Sequence, residues 1–520
     1  MIFPTIEFAA FFVVVMAASW RLMPRPRLWK PFILCCSYFF YGYADERFAL
    51  LLLASTVVNQ ATAGALGRWP HRRILAVGIV CDLGLLGWFK YYGFFALSVD
   101  RTLERIGLPA PLPLLQVALP VGISFFTFQA MSYLVDVRRG HIRPAKTIDF
   151  AVYLAFFPHL VAGPIVRADE FIPQLAAPRN PDQVQVTRAV FLIAGGLFKK
   201  VALADLLASQ LVDPVLNTPS QHSSPEVLVA VYGYAVQIYC DFSAYSDMAV
   251  GIALLLGFHF PDNFDRPFTA ASLQEFWRRW HMTLSRWLRD YVYIPLGGSR
   301  AGPRRTYANL LATMTLGGLW HGAAWTFVIW GAVHGAALSA ERWWVGRRPH
   351  LHGTPPLVPD AVTMAAAPET TVAGLTAMTL TPMTPAAMTA TAVATAPGGA
   401  FTVARLRSHG RAWLGRVAVF HFVCATWVLF RSPDLGTAMD IFVRLFTAPG
   451  PAPMVTRTVL LAIAAGLATQ MVPKNWWLHA QDLFSRLSMF GQVVGIVAFV
   501  LLAHTIVGRQ DVAPFVYFRF

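Results

Sequence analysis

The sequence predicts an all-α, polytopic membrane protein, a bundle of spans with interfacial helices. Three observations carry that prediction. Of the 520 residues, 56% are hydrophobic and 13% are charged, too little charge to cover the surface of a soluble chain of this length. The apolar residues fall in long runs, and about 20 in a row are needed to cross a hydrocarbon core roughly 30 Å thick. The basic residues gather in short loops between those runs.

In chain order the long stretches are 6–20, 48–66, 74–97, 114–135, 188–208, 226–257, 306–340, 414–431, 455–472 and 490–507. Shorter runs at 32–44 and 149–165 suit tilted or re-entrant segments, for a total of about a dozen. Met1-Ile-Phe-Pro-Thr5 has neither the basic leader nor the small-residue cleavage site of a secretory signal. The stretch 6–20 is therefore expected to be a retained first span. Arg21, Arg25, Arg27 and Lys30 form one basic loop, Arg68, Arg72 and Arg73 a second, and Arg138, Arg139, Arg143 and Lys146 a third. Threading the spans between them puts all three on one side, which the positive-inside rule makes cytoplasmic, with the N-terminus outside. The net charge of +15 then implies a membrane surface, because a nucleic-acid binder would gather its charge on one polar domain. Cys35, Cys36, Cys81, Cys240 and Cys424 all lie in apolar runs without zinc-like spacing. They read as small buried hydrophobes, so neither a disulfide framework nor a metal is expected.

One segment stands apart. Residues 349–404 are rich in Ala, Thr, Pro and Met and have no aromatic before Phe401. Such a composition shows no helical period and cannot bury enough apolar area to offset its ordering entropy. It is expected to be a disordered cytoplasmic insertion, dividing a catalytic membrane body at 1–348 from further spans at 405–520 that complete it. Residues 272–293 read as an amphipathic helix: Trp277, Trp280, Leu284, Trp287 and Tyr291 form one stripe, opposite Arg278, Arg279, Arg286 and Arg289. It is expected to lie in the interface, rings toward the acyl chains and guanidinium groups toward water and phosphate.

Candidate chemistry sits inside the spans. Residues 306–340 are thirty-five positions without Asp, Glu, Lys or Arg. That is longer than one crossing, and Gly317, Gly318 and Gly322 offer places to break it. Within it lie His321 and His334. An ionisable group in hydrocarbon is functional by default, although a lone His among apolar residues is also often a core histidine bonded to a carbonyl. Asp241 and Asp247 interrupt another apolar stretch. They either serve substrate or pin neighbouring helices through paired partners. His281, on the edge of the aromatic stripe, is the third histidine candidate, with an ordinary solvated ring as the alternative.

Several motifs resemble signatures of the membrane-bound O-acyltransferase (MBOAT) family. They are Tyr239-Cys-Asp-Phe-Ser-Ala-Tyr-Ser-Asp-Met248, Asn263-Phe-Asp-Arg-Pro267, Phe276-Trp-Arg-Arg-Trp-His-Met-Thr-Leu-Ser285, Trp287-Leu-Arg-Asp-Tyr291 and Leu316-Gly-Gly-Leu-Trp-His-Gly322. Phe157-Pro-His-Leu-Val-Ala-Gly-Pro-Ile-Val-Arg167 and the tail Phe515-Val-Tyr-Phe-Arg-Phe520 are similar too. The likeness is to the bacterial branch that holds the alginate O-acetyltransferase membrane subunit and the teichoic-acid D-alanyl transferase. It implies a helical fold around a tunnel, in a bacterial cytoplasmic membrane. It also implies catalysis by His321 of the Trp-His-Gly motif with His281 of the Arg-Trp-His motif, and transfer of an acetyl group to an exported or cell-envelope glycan. Acyl-CoA is the expected co-substrate, without a bound cofactor; an extracytoplasmic acyltransferase or glycan synthesis complex is an expected partner. Trp320, His334, Asp241, Asp247, Arg286 and Arg289 are the candidates for substrate or donor binding, the arginines being equally readable as surface anchors. Cys240, where relatives often carry an aromatic, and the 349–404 insertion depart from the pattern. The chemistry is sound on its own terms: imidazole, with an ordinary pKa of about 6.5, can take the proton of an attacking hydroxyl. The rival reading is a proton-coupled transporter with a His321, Asp241 and Asp247 relay. No repeated half, a feature many transporters show, is visible in the sequence.

Overall fold

A computed structural model describes residues 3–43, 45–108, 119–161, 163–347 and 398–488, most of 490–499, and residue 515. For 398–409 and 474 it describes the backbone alone. The described residues are helical, with no strand among them.

The first third forms α1 (Ile6–Leu22), α2 (Pro26–Gly42), α3 (Glu46–Arg68), α4 (Arg72–Leu86), a π-helical turn Gly87–Tyr91, α5 (Tyr92–Arg105), α6 (Ile123–Arg139), α7 (Thr147–Ala155), α8 (Phe157–Leu160) and α9 (Ala168–Ala176). The middle continues as α10 (Val186–Phe198), π segments Lys199–Asp205 and Ala208–Val212, α11 (Asp213–Asn217) and α12 (Ser224–Leu255). Next come α13 (Leu273–Arg279), α14 (Met282–Leu288), the π turn Arg289–Tyr293, α15 (Pro303–His321) and α16 (Trp325–Gly346). The end holds α17 (Gly398–Arg431), α18 (Leu435–Thr447), α19 (Arg457–Ala468) and α20 (Lys474–Ser485).

Helix starts follow local chemistry. The Asp45 side chain accepts from the Arg47 amide at the head of α3, and Ser223 with Glu226 forms a reciprocal capping box for α12. Helix α12 is 32 residues long and almost wholly buried, which explains its lack of an amphipathic pattern: it has protein on every side. One half packs with α1–α4 and α6–α9 in a first core that includes Trp29, Phe126, Phe156, Phe171 and Tyr245. The other half packs with α13, α16, α17, α18 and α19 in a second, around Trp280, Trp330, Trp427 and Phe430. A third, smaller cluster joins Phe125 and Phe128 of α6 to Trp287 of α14 and Trp320 of α15.

Two expectations change. Of the dozen apolar stretches, only Glu46–Arg68, Arg72–Arg105, Ser224–Leu255 and Gly410–Arg431 are, among the described residues, helices long and apolar enough to cross a membrane. Among the others, 306–340 becomes α15 and α16, separated at Gly322, and 149–165 becomes α7 and α8. The 272–293 helix is also not continuous. It breaks between α13 and α14 at His281, whose φ of 43° is left-handed, so the second half is re-aimed. Its rings then face protein, not acyl chains: Trp280 is 3% exposed and Trp287 4%. Trp287 stacks on Phe128 with centroids 3.7 Å apart. The guanidinium groups find carboxylates, Arg279 with Glu275 at 2.6 Å and Arg286 with Glu170 at 2.8 Å. Of the expected 349–404 insertion, residues 349–397 lie outside the described residues, and the backbone is already helical at Gly398. Helix formers such as Ala404, Leu406 and Arg407 carry the helix back from the 414–431 stretch. The terminal aromatic motif lies outside them apart from Phe515, which is buried 4.4 Å from the Tyr245 ring.

Candidate functional site

Helices α15 and α16 form a hairpin that needs small residues. A Cβ on Gly331 would meet the Thr315 Cα at 3.0 Å, and one on Gly335 the Leu311 Cα at 2.8 Å. Close backbone approach of this kind is the usual way helices pack in a membrane. Helix α15 ends at His321 because Gly322 is fully extended (φ −156°, ψ 151°). A side chain at Gly322 would run into the Phe327 ring. The hairpin thus sets His321 on the last turn of one helix, facing the next.

His321 is 4% exposed. Its ring meets Trp320, Trp330 and Phe430 edge to face, with centroids 5.0, 5.3 and 5.2 Å away. Trp330 also touches the fully buried His334 at 4.8 Å, and Trp320 lies 6.2 Å from the fully buried His281. Three histidines from three elements are therefore strung through two tryptophans. The structure brings together His321, His281, His334 and Trp320.

Hydrogen bonds fix two of the tautomers. Asn263 donates its amide to Ser246 at 3.0 Å, and its carbonyl oxygen accepts from the Thr283 amide and hydroxyl at 3.2 and 2.9 Å. The same oxygen lies 3.2 Å from His281 Nδ1, so that nitrogen is the donor and Nε2 keeps its lone pair. Nε2 has no hydrogen-bond partner among the described residues. The Thr426 hydroxyl donates to the Val423 carbonyl at 3.0 Å and so accepts from His334 Nε2 at 2.9 Å, leaving Nδ1 as the basic atom of His334. Asn263 also stabilises the backbone at His281, since its carbonyl accepts from the Met282 amide at 2.9 Å. Arg266 and His281 are the two positive-φ residues other than glycine among the described ones, both inside the quoted motifs. Such strain of about 1–3 kcal/mol persists only where surroundings over-determine it.

The remaining candidates are held elsewhere in ion pairs. Asp241 pairs with Lys200 at 2.9 Å, and Lys200 with Asp205 at 2.8 Å. Asp247 pairs with Lys199 at 2.6 Å. Both pairs join α12 to the π segment after α10, with lysines as partners. Arg286 faces Glu170, and Arg289 faces Asp290 at 2.6 Å.

Sequence reasoning missed Lys90, Lys199 and Lys200, although each interrupts an apolar stretch and so carries the intramembrane-charge signal. Lys90 and Tyr91 bond the carbonyl end of α15. Asn263 stood within a quoted motif without a role. Thr426 and Phe430 carry no local signal, since only the packing of α17 brings them to His334 and His321.

The profile of MBOAT, the membrane-bound O-acyltransferase family, matches residues 73–355, a stretch that contains all three histidines. The chain is 39% identical over 351 residues to "Probable alginate O-acetylase AlgI" of Azotobacter vinelandii, covering 66% of this chain and 69% of that one. It is 43% identical over 320 residues to the protein of the same description in Pseudomonas aeruginosa, covering 60% of each. Against the latter it spans less than two thirds of the relative's length. A peptidoglycan O-acetyltransferase of Helicobacter pylori is 34% identical over 387 residues, covering 68% of this chain and 71% of the relative.

Proposed function

This chain belongs to the membrane-bound O-acyltransferase family, and on that premise we propose that it passes an acetyl group from acyl-CoA to a hydroxyl of an exported or cell-envelope polysaccharide, directly or through an extracytoplasmic partner. It is a multi-pass membrane protein of an enzyme family, which sets the transporter reading aside. The relatives named for alginate and peptidoglycan support a glycan acceptor, and the cytoplasmic membrane of a bacterium is the proposed location.

The observation that carries the reading is His321 itself, held on the broken end of α15 inside three aromatic rings. In the proposed reaction the acceptor hydroxyl attacks the thioester carbonyl while His321 takes its proton. The tetrahedral adduct then collapses, the acyl–oxygen bond is kept, and the CoA thiolate leaves and is protonated. His281, with its lone pair on Nε2, serves as the second base of the pair. The acyl donor is cytoplasmic and the glycan lies outside, so both must reach His321 through a tunnel. Trp320 and His334 line that path in this reading. Arg286 and Arg289 stay candidates for the donor phosphates only if they exchange their carboxylate partners for them, whereas anchoring needs no exchange.

The test is acetyl-CoA turnover by the purified full chain in detergent, followed as release of free CoA, with no membrane gradient. His321→Ala should leave folding near wild type and remove turnover. General-base help supplies about 10²–10⁴-fold, so a variant that keeps more than about a tenth of wild-type turnover would show the role to be wrong. The O-acetyl content of envelope glycans from a deletion strain then identifies the acceptor.

A further inference from the structure

The last four carbonyls of any helix lack an intrahelical partner. A glycine in the left-handed region often supplies the closing bonds, but Gly322 is extended, and Trp320 and His321 are both buried in the protein. At the end of α15 the bonds come from a different helix. Lys90 donates to the carbonyls of Trp320 and His321 at 2.5 and 3.1 Å and to the Ser124 hydroxyl at 3.3 Å. Tyr91 donates its hydroxyl to the Leu319 carbonyl at 2.9 Å. An ammonium has three donors, and here all three are used. Both residues belong to the π turn Gly87–Tyr91 that interrupts an otherwise α-helical run from α4 into α5. Turns of this kind recur at functional sites. A cation at the carbonyl end also complements the helix dipole.

We propose that Lys90 is a positioning residue for His321: its ammonium ties the last carbonyls of α15 to α6 and so fixes the backbone from which the imidazole projects. The proposal rests on His321 being the base. Three consecutive carbonyls, 319 to 321, are clamped by one dipeptide, while the Lys90 ammonium also lies 5.7 Å from the centre of the Trp320 ring beside the histidine. Every hydrogen bond named here goes to the backbone of α15 or to the Ser124 hydroxyl. The effect is on where His321 points, so it should appear in the chemical step and not in donor binding.

The experiment is acetyl-CoA turnover by full-length wild type, Lys90→Met, Lys90→Arg, Tyr91→Phe and His321→Ala. Displacing a base by a fraction of an ångström to 1 Å costs up to about 10²-fold. Lys90→Met is therefore expected to lower kcat by about ten- to a hundredfold with KM for acetyl-CoA within about twofold. Lys90→Arg, which keeps the cation and its donors, should recover most of the loss. A merely structural lysine would reduce the yield of folded protein and leave kcat per folded molecule unchanged, and that result overturns the proposal. If Lys90→Met does not fold, Tyr91→Phe decides: it removes one of the bonds holding the end of α15, so kcat should fall about three- to tenfold, and an unchanged kcat sinks the idea. A dead His321→Ala beside a fully active Lys90→Met refutes the positioning role alone. Equal turnover by wild type and His321→Ala removes the underlying reading, and this inference with it.

Discussion

Replacing Lys200 by Met tests whether Asp241 holds the bundle together or serves the reaction. Lys200 lies 2.8 Å from Asp205 and 2.9 Å from Asp241, and the three side chains are 1%, 6% and 2% exposed. With the lysine charged, the trio carries one positive and two negative charges. Methionine fills a similar volume but leaves two buried carboxylates facing each other. Removing one partner of a buried ion pair costs about 3–5 kcal/mol, a large share of the 5–15 kcal/mol that usually separates folded from unfolded. Asp241→Asn is milder: the Lys200 to Asp205 pair survives, the trio becomes neutral, and the loss is that of one charge-assisted bond, about 1–2 kcal/mol. Thermal unfolding of the detergent-solubilised protein, read by the fraction that stays monodisperse, should rank wild type above Asp241→Asn and both well above Lys200→Met. Turnover per folded molecule should be unchanged in Asp241→Asn. If that variant keeps wild-type stability and loses turnover, the carboxylate belongs to the chemistry and the pinning argument fails. If Lys200→Met is as stable as wild type, the trio is not the structural element its burial implies.

Two further outcomes follow from the packing. Gly331→Ala should destabilise by about 1–3 kcal/mol, because its Cβ would meet the backbone of Met314 and Thr315, which cannot yield without parting α15 from α16; the unfolding midpoint measures it. Asn263→Ala should lower acetyl-CoA turnover by about tenfold or more while Asn263→Asp, which keeps the oxygen facing His281 and Thr283, loses less; equal activity of the two would show that the Asn263 oxygen does not matter.

Much of the site was legible because the relevant residues break a pattern. His321 interrupts thirty-five uncharged positions, and Gly322 beside it marks where the run divides. His334 was visible in the same run, whereas His281 was visible only at the edge of an aromatic stripe flanked by arginines. The aromatic stripe at 272–293 was legible as a helical period, but its destination was not. Helical spacing says which residues share a face and nothing of whether lipid or protein covers it, and a left-handed residue at position 281 has no compositional mark. Lys90 was hidden by the opposite error: one charge in a long apolar stretch was absorbed into the span instead of being asked for its partner. Phe430 reaches His321 only through the packing of α17 against the α15–α16 hairpin, and no local rule foresees that.

The site is assembled from backbone irregularities, and each is answered by a polar side chain from another part of the chain. Helix α15 stops at an extended glycine, and Lys90 and Tyr91 of a π turn take its open carbonyls. The segment before α14 turns left-handed at His281, and Asn263 holds both the ring and the following amides. A continuous helix through either point would satisfy its own backbone and need no such partner, but His321 would no longer end its helix facing Trp330, nor would His281 lie beside Trp320. In a bilayer an unanswered carbonyl or amide costs several kcal/mol, so these irregularities are tolerable only together with their partners. Substitutions at Lys90 or Asn263 should therefore move the histidines before they unfold the bundle, because what they release is a helix end or a single turn, not the buried length of α12.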